Sequence, residues 1–137
     1  MRQVFIITLL LTLITSSLRG ATETISLDGS WKIRTDPQNS GKQNEWFAQS
    51  IATNAETRDI QVPGVLQTVF REYHGLVWYE RDFRTPENPN ISNANINART
   101  LLRFWQAEYR ADVWVNGVYL GFHEGGEEAF ELDATRS

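Results

Sequence analysis

No cysteine occurs anywhere in the chain. Disulfides, a thiolate nucleophile and cysteine-ligated zinc are therefore excluded whatever the redox state of the compartment. Histidine is nearly as scarce, with only His74 and His123. Their separation suggests no two-histidine metal site, so neither a metal nor another cofactor is expected. Lysine and arginine form no run, which leaves nothing to grip a phosphate backbone, and nucleic acid is not expected as a partner. Helical periodicity is almost missing too.

What is present begins with an unusual first segment. Met1-Arg2 give a short positive start, Val4 to Thr15 (VFIITLLLTLIT) form an uncharged apolar run, and small and polar residues follow in SSLRGA. That order is that of a secretory signal peptide. The run is shorter than the roughly 20 apolar residues of a spanning helix. Residues 1–21 are therefore expected to be a leader and 22–137 a single domain, secreted or periplasmic, with no membrane contact after cleavage. The formal charge of the whole chain is −4. Without Arg2 and Arg19, eleven basic residues face seventeen acidic ones, and the charge becomes −6.

The remainder reads as short strands separated by turns. Asp28-Gly29 and Asn116-Gly117 are pairs that accept positive φ, and Asn116-Gly117 lies between two β-rich runs, the strongest short-range signal for a hairpin. Strands are expected at Ile25–Ile33 around Asp28-Gly29, at Asp59–Val62 and at Val77–Arg84. Four more are expected at Thr100–Trp105, Tyr109–Val115, Val118–Phe122 and Ala129–Leu132. In Val77–Arg84, Val77, Tyr79 and Phe83 alternate with Glu80, Asp82 and Arg84, the pattern of a half-buried strand. Asp36 to Thr57 is polar, with one or two helical turns around Asn44–Ile51, and Pro86–Arg99 is a long asparagine-rich connection. This spacing indicates an antiparallel all-β sandwich or barrel. With five or six strands the core is modest, and one or more partner strands of a complete sandwich are expected to be missing.

The pieces LDGSWKIRTDP, VPG, YHGLVWYERDF and LRFWQAEYRADVWVNGVYLGFHEGGEEAFELDAT, in that order, resemble the N-terminal sugar-binding domain of glycoside hydrolase family 2. That family includes β-galactosidases, β-glucuronidases and β-mannosidases. The resemblance runs from about Ile25 to Thr135 and implies a galactose-binding-like jelly-roll β-sandwich. It also implies that the two catalytic glutamates of a retaining enzyme, which must flank the glycosidic bond about 5 Å apart, belong to a separate barrel. No catalytic residue is therefore expected in this chain, and its carbohydrate partner would be a β-linked glycoside met through the parental enzyme.

Several side chains compete for a role. His123-Glu124 has the residue types of an acid/base pair, but glycines 121, 125 and 126 around it favour a tight turn that these two side chains tie to the backbone. Glu127 and Glu128, read as strand neighbours, point to opposite faces and cannot converge on one bond. Arg71-Glu72-Tyr73-His74-Gly75 combines charge with a flat aromatic face before a strand and is the best binding candidate. The expected substrate-binding residues are thus Glu72, Tyr73, His74 and Glu124, with Asp28, Gly29, Asn116, Gly117, Gly125 and Gly126 as turn formers. Trp31 and Trp114 are expected in the core, and Trp78 and Trp105 are also read as core, with a stacking platform for a carbohydrate as the alternative. Arg81 is expected to pair with a carboxylate. Three functions stay open: a non-catalytic piece of an exported β-glycosidase, a free-standing lectin-like module, or a structural subunit completing another chain by strand pairing.

Overall fold

Alternating, β-branched and aromatic-rich runs interrupted by Gly, Pro and Asn can bury their apolar side only as paired strands. The computed structural model describes residues 22–84 and 99–137. The expected leader and most of the asparagine-rich connection lie outside the described residues. The strands are β1 (Gly29–Thr35), β2 (Arg58–Val62), β3 (Val77–Glu80), β4 (Leu101–Phe104), β5 (Arg110–Val115), β6 (Val118–Glu124) and β7 (Phe130–Asp133). Among the described residues a single 3-10 turn occupies Leu66–Thr68. Three antiparallel sheets result, with orders β2-β1-β3, β4-β7 and β5-β6. The molecule is an all-β sandwich.

Among the described residues seven strands form, one in each of the seven runs marked in the sequence, which exceeds the five or six from which a modest core was expected. Asp28-Gly29 departs from expectation. Gly29 has a φ of 123°, but the residues before it form no strand, so it opens β1 instead of closing a hairpin. A Cβ there would sit 3.1 Å from the Arg81 guanidinium.

Register sorts the first sheet into two faces, since directly opposed residues share a side. Trp31 opposes Ile60, Ile33 opposes Tyr79 and Thr35 opposes Val77. This is the apolar face, on which Ile33 is completely buried and Ile60 nearly so. Val77 and Tyr79 do share that face, yet Tyr79 stays 41% exposed and Phe83 lies beyond the end of β3. The other face carries Lys32, Arg34, Asp59, Trp78 and Glu80.

A second core forms on that other face, supplied by the polar loop between β1 and β2. Asp36, almost fully buried, accepts hydrogen bonds from the Ser40 and Gly41 N–H groups at 2.8 Å and from the Trp78 indole at 3.0 Å. Its carboxyl is raised by burial, but the Ser40, Trp78 and Gly41 hydrogen bonds outweigh this and hold it below its usual value. The same loop delivers Trp46 edge-on to Trp78 at 5.9 Å and Phe47 stacked on Trp114 at 5.5 Å. Trp114 also meets Trp78 at 5.4 Å and Tyr119 at 5.1 Å. Arg34 lies 3.6 Å above the Trp46 ring. This aromatic cluster joins the first sheet to the β5-β6 hairpin.

Asn116 (φ 49°) and Gly117 (φ 79°) form the left-handed turn of that hairpin, as expected. A bulge follows, because Val113 opposes Gly121 while Trp114 opposes Tyr119, leaving Leu120 as the extra residue. Tyr119, opposite Trp114, lies on the side of Asp112, to which its hydroxyl donates at 2.8 Å, and the bulge adds Phe122 to that side by setting it opposite Asp112. The opposite side of β6 meets the β4-β7 sheet. Leu102 opposes Leu132, Phe104 stacks on Phe130 at 4.8 Å, and the His123 ring stacks on Phe130 at 4.2 Å.

Candidate functional site

The loop from Arg71 to Gly75 closes on itself. The Tyr73 hydroxyl donates to the Leu76 carbonyl at 2.8 Å, and the same carbonyl accepts the Asp36 N–H at 2.8 Å. Gly75 is required beneath the ring, since a Cβ there would come within 2.7 Å of the Tyr73 hydroxyl. Tyr73 is half-buried against Phe70, so its flat face serves packing more than stacking with a ligand. Glu72 and His74 are exposed, and among the described residues neither has a hydrogen-bonded or ionic partner. They remain available to a ligand.

Glu124 does not join them. It ends β6, where it accepts from Arg110 at 3.2 Å. Arg110 also lies 4.2 Å over the Phe122 ring and reaches Asp112 at 3.4 Å. Burial raises the Asp112 carboxyl, but hydrogen bonds from Tyr119, Arg110 and Lys42 outweigh it and leave the group below its usual value. This group of residues is a charge-balanced network across a hairpin.

His123 and Glu124 do not tie the following turn to the backbone. That tie is the Gly125 N–H donated to the Tyr109 carbonyl at 2.8 Å, with Gly125 at φ 133°. The imidazole is instead consumed by stacking on Phe130, and its Nε2 is buried without a partner. Gly126 lies against the Glu108 side chain. Glu127 and Glu128 lie in the loop before β7, both exposed, so the strand-face reason for separating them does not apply. Of the tryptophans, 31, 78 and 114 are packed and Trp105 is 73% exposed. The Trp31 indole donates to the Leu27 carbonyl at 2.7 Å.

Sequence reasoning missed a polar cleft where β3 leaves the first sheet. It is lined by Ser30, Trp31, Lys32, Ala52, Asp59, Glu80, Arg81 and Asp82, with a volume of about 330 Å³. Lys32 opposes both Asp59 and Glu80 in the register, so alternation places all three on one face. Lys32 pairs with Asp59 at 2.8 Å. Glu80 accepts from the Ser50 hydroxyl at 2.5 Å and from the Ile51 N–H at 2.6 Å. Arg81 has no carboxylate partner among the described residues, contrary to expectation. It donates to the Ser30 carbonyl at 3.2 Å, past the point where β3 stops pairing with β1. The signal that could have found this cleft is the strand-end pair Arg81-Asp82 beside a lysine two strands away in sequence. No group of three or more His, Cys, Asp or Glu among the described residues could hold a metal ion.

Relatives with known activities match the same strands. A β-glucuronidase of Rattus norvegicus is 35% identical over 118 residues, covering 80% of this chain, and one of Paenibacillus borealis is 33% identical over 115 residues. Its homologues are the β-glucuronidases of glycoside hydrolase family 2. A solved β-glucuronidase from Ruminococcus gnavus in complex with D-glucuronic acid superposes with a TM-score of 0.69 at 31% identity, over 82% of this chain. No family model matches. The chain spans 18% of the length of those curated relatives and 19% of that solved chain. The homology thus carries the sandwich and leaves most of the β-glucuronidase outside the comparison.

Proposed function

We propose that the chain is a non-catalytic sugar-binding domain of an exported, β-glucuronidase-like family 2 glycoside hydrolase. The observation that carries this reading is the confinement of the match to 18% of each curated relative, combined with the chemistry of the carboxylates present. Retaining hydrolysis needs a proton-donating acid and a nucleophile flanking one bond. Of the acidic groups in the cleft, Asp59 is ion-paired and Glu80 is held by two donors, so neither is set up to give a proton. Glu124 is tied to Arg110. Export rests on the order of charged, apolar and small residues in positions 1–21.

The chain contributes carbohydrate contacts and a rigid scaffold, while bond cleavage belongs to a barrel. Glu72 and His74 are the exposed polar groups of the best loop, and Tyr73 fixes that loop. Isothermal titration of the purified chain with β-galactosides, β-glucuronides and β-mannosides tests the binding role. Measurable heat with one of them supports it. No heat from any, in a sample with β-rich circular dichroism and a cooperative melt, sinks it.

A further inference from the structure

We propose that the cleft bounded by Ser30, Lys32, Asp59, Arg81 and Asp82 is a carbohydrate subsite that takes a neutral pyranose and rejects a uronate. The inference rests on the sugar-binding reading and adds to it a place and a charge preference. The cleft volume of about 330 Å³ leaves room for one sugar ring and its ordered water. Its walls present donors and acceptors together, as a ring of hydroxyls requires. Lys32 has three N–H donors, one of them given to Asp59. Arg81 has five, and one reaches the Ser30 carbonyl. Asp82 has no partner among the described residues and offers its carboxylate to a vicinal diol.

The cleft is also braced. Glu80 is fixed by Ser50 and Ile51, and Lys32 sits between Asp59 and Glu80 on neighbouring strands. A site built on a sheet in this way loses little freedom on binding.

Charge decides the ligand class. Three carboxylates, Asp59, Glu80 and Asp82, line the cleft against two cations, Lys32 and Arg81. One cation is already neutralised by Asp59. A ligand carboxylate would enter a field of net negative sign and would compete with Asp59 for Lys32. A neutral ring meets no such penalty. The preference is opposite in charge to the D-glucuronic acid seen bound in the Ruminococcus gnavus relative, so this subsite would read a different residue of a glycan from the one that is cleaved.

Saturation-transfer difference NMR on the full chain, with methyl β-D-glucopyranoside and methyl β-D-glucopyranosiduronic acid at pH 7, tests the proposal. Transfer to the glucoside is expected, with at least tenfold weaker binding of the uronide. Asp82→Ala should abolish transfer to the glucoside while leaving circular dichroism unchanged, and Asp82→Asn should retain part of it. Glu127→Ala, at an exposed position in the loop before β7, serves as the comparison and should leave the signal intact. Transfer that persists in Asp82→Ala but disappears in His74→Ala overturns the cleft and leaves the sugar-binding reading standing. Equal or tighter binding of the uronide overturns the charge preference. No transfer to either glycoside in the folded wild type overturns both.

Discussion

Asp36 is the single residue whose replacement tests the fold most sharply. Its Oδ1 accepts the Ser40 N–H at 2.8 Å, and its Oδ2 accepts the Gly41 N–H at 2.8 Å and the Trp78 indole at 3.0 Å. Asparagine has the same shape but only one acceptor oxygen. Turned either way, its NH₂ faces a donor. The cheaper choice sacrifices Ser40 and keeps Gly41 and Trp78, leaving one N–H unsatisfied and removing the charge from the other two bonds. An unsatisfied buried donor costs about 1–3 kcal/mol, and hydrogen bonds to a charged acceptor exceed neutral ones. Asp36→Asn should therefore lose about 2–3 kcal/mol, and Asp36→Ala, which orphans all three donors, about 4 kcal/mol. In urea at pH 7 this lowers the unfolding midpoint by roughly 1–2 M for Asp36→Asn at an ordinary m-value. The pH dependence has a fixed sign. The folded carboxyl lies below its unfolded value of 3.8, so its contribution is complete above 3.8 and vanishes as pH falls through the lower, folded value. The gap between wild type and Asp36→Asn should accordingly narrow in acid. A midpoint shift below about 0.3 M, or a gap that widens as pH falls, refutes the reasoning.

Three other outcomes follow from the same geometry. Gly117→Val should destabilise by about 2 kcal/mol in urea melts, because φ is 79° there, while Ala48 at 3.7 Å leaves enough room that strain alone is responsible. Trp114→Ala removes the ring that meets Phe47, Trp78 and Tyr119 and should cost about 3–5 kcal/mol, with loss of the near-ultraviolet dichroism. Asp133 is pulled down to about 2 by the Thr135 hydroxyl and N–H and by Arg99, so its carboxyl should titrate near there by NMR, and Thr135→Val should move the midpoint upward.

Short-range chemistry made most of the fold legible in the sequence. The Asn116-Gly117 turn and the strands on either side follow from backbone preference alone, and their order fixes an antiparallel architecture. What escaped depends on contacts between segments distant along the chain. Trp46 and Phe47 sit in a loop that reads as polar, yet they complete a core with Trp78 and Trp114, because one buried carboxylate at Asp36 folds that loop back over β3. The bulge at Leu120 sets Phe122 opposite Asp112, where Arg110 covers its ring, and no local pattern announces an extra residue in a strand.

The candidate site divides in the same way. Glu72, Tyr73 and His74 were marked by composition, and their loop is where it was expected. Glu124 was marked by its neighbours in sequence, yet the structure gives it to Arg110. The cleft was invisible because Lys32, Asp59 and Arg81 meet only through strand register. His123 shows the opposite error, a residue type rich in chemistry that is used for stacking on Phe130.

Hydrolysis is the most direct test of the central claim. The purified full chain, incubated with 4-nitrophenyl β-D-glucuronide and followed by release of nitrophenol, is predicted to give no rate above buffer, because Glu124, Asp59 and Glu80 are committed to Arg110, Lys32, Ser50 and Ile51, which leaves Asp82 in the cleft without a second uncommitted carboxylate beside it. Turnover that co-fractionates with the pure chain and disappears in Glu80→Gln or Asp82→Asn would contradict a non-catalytic role.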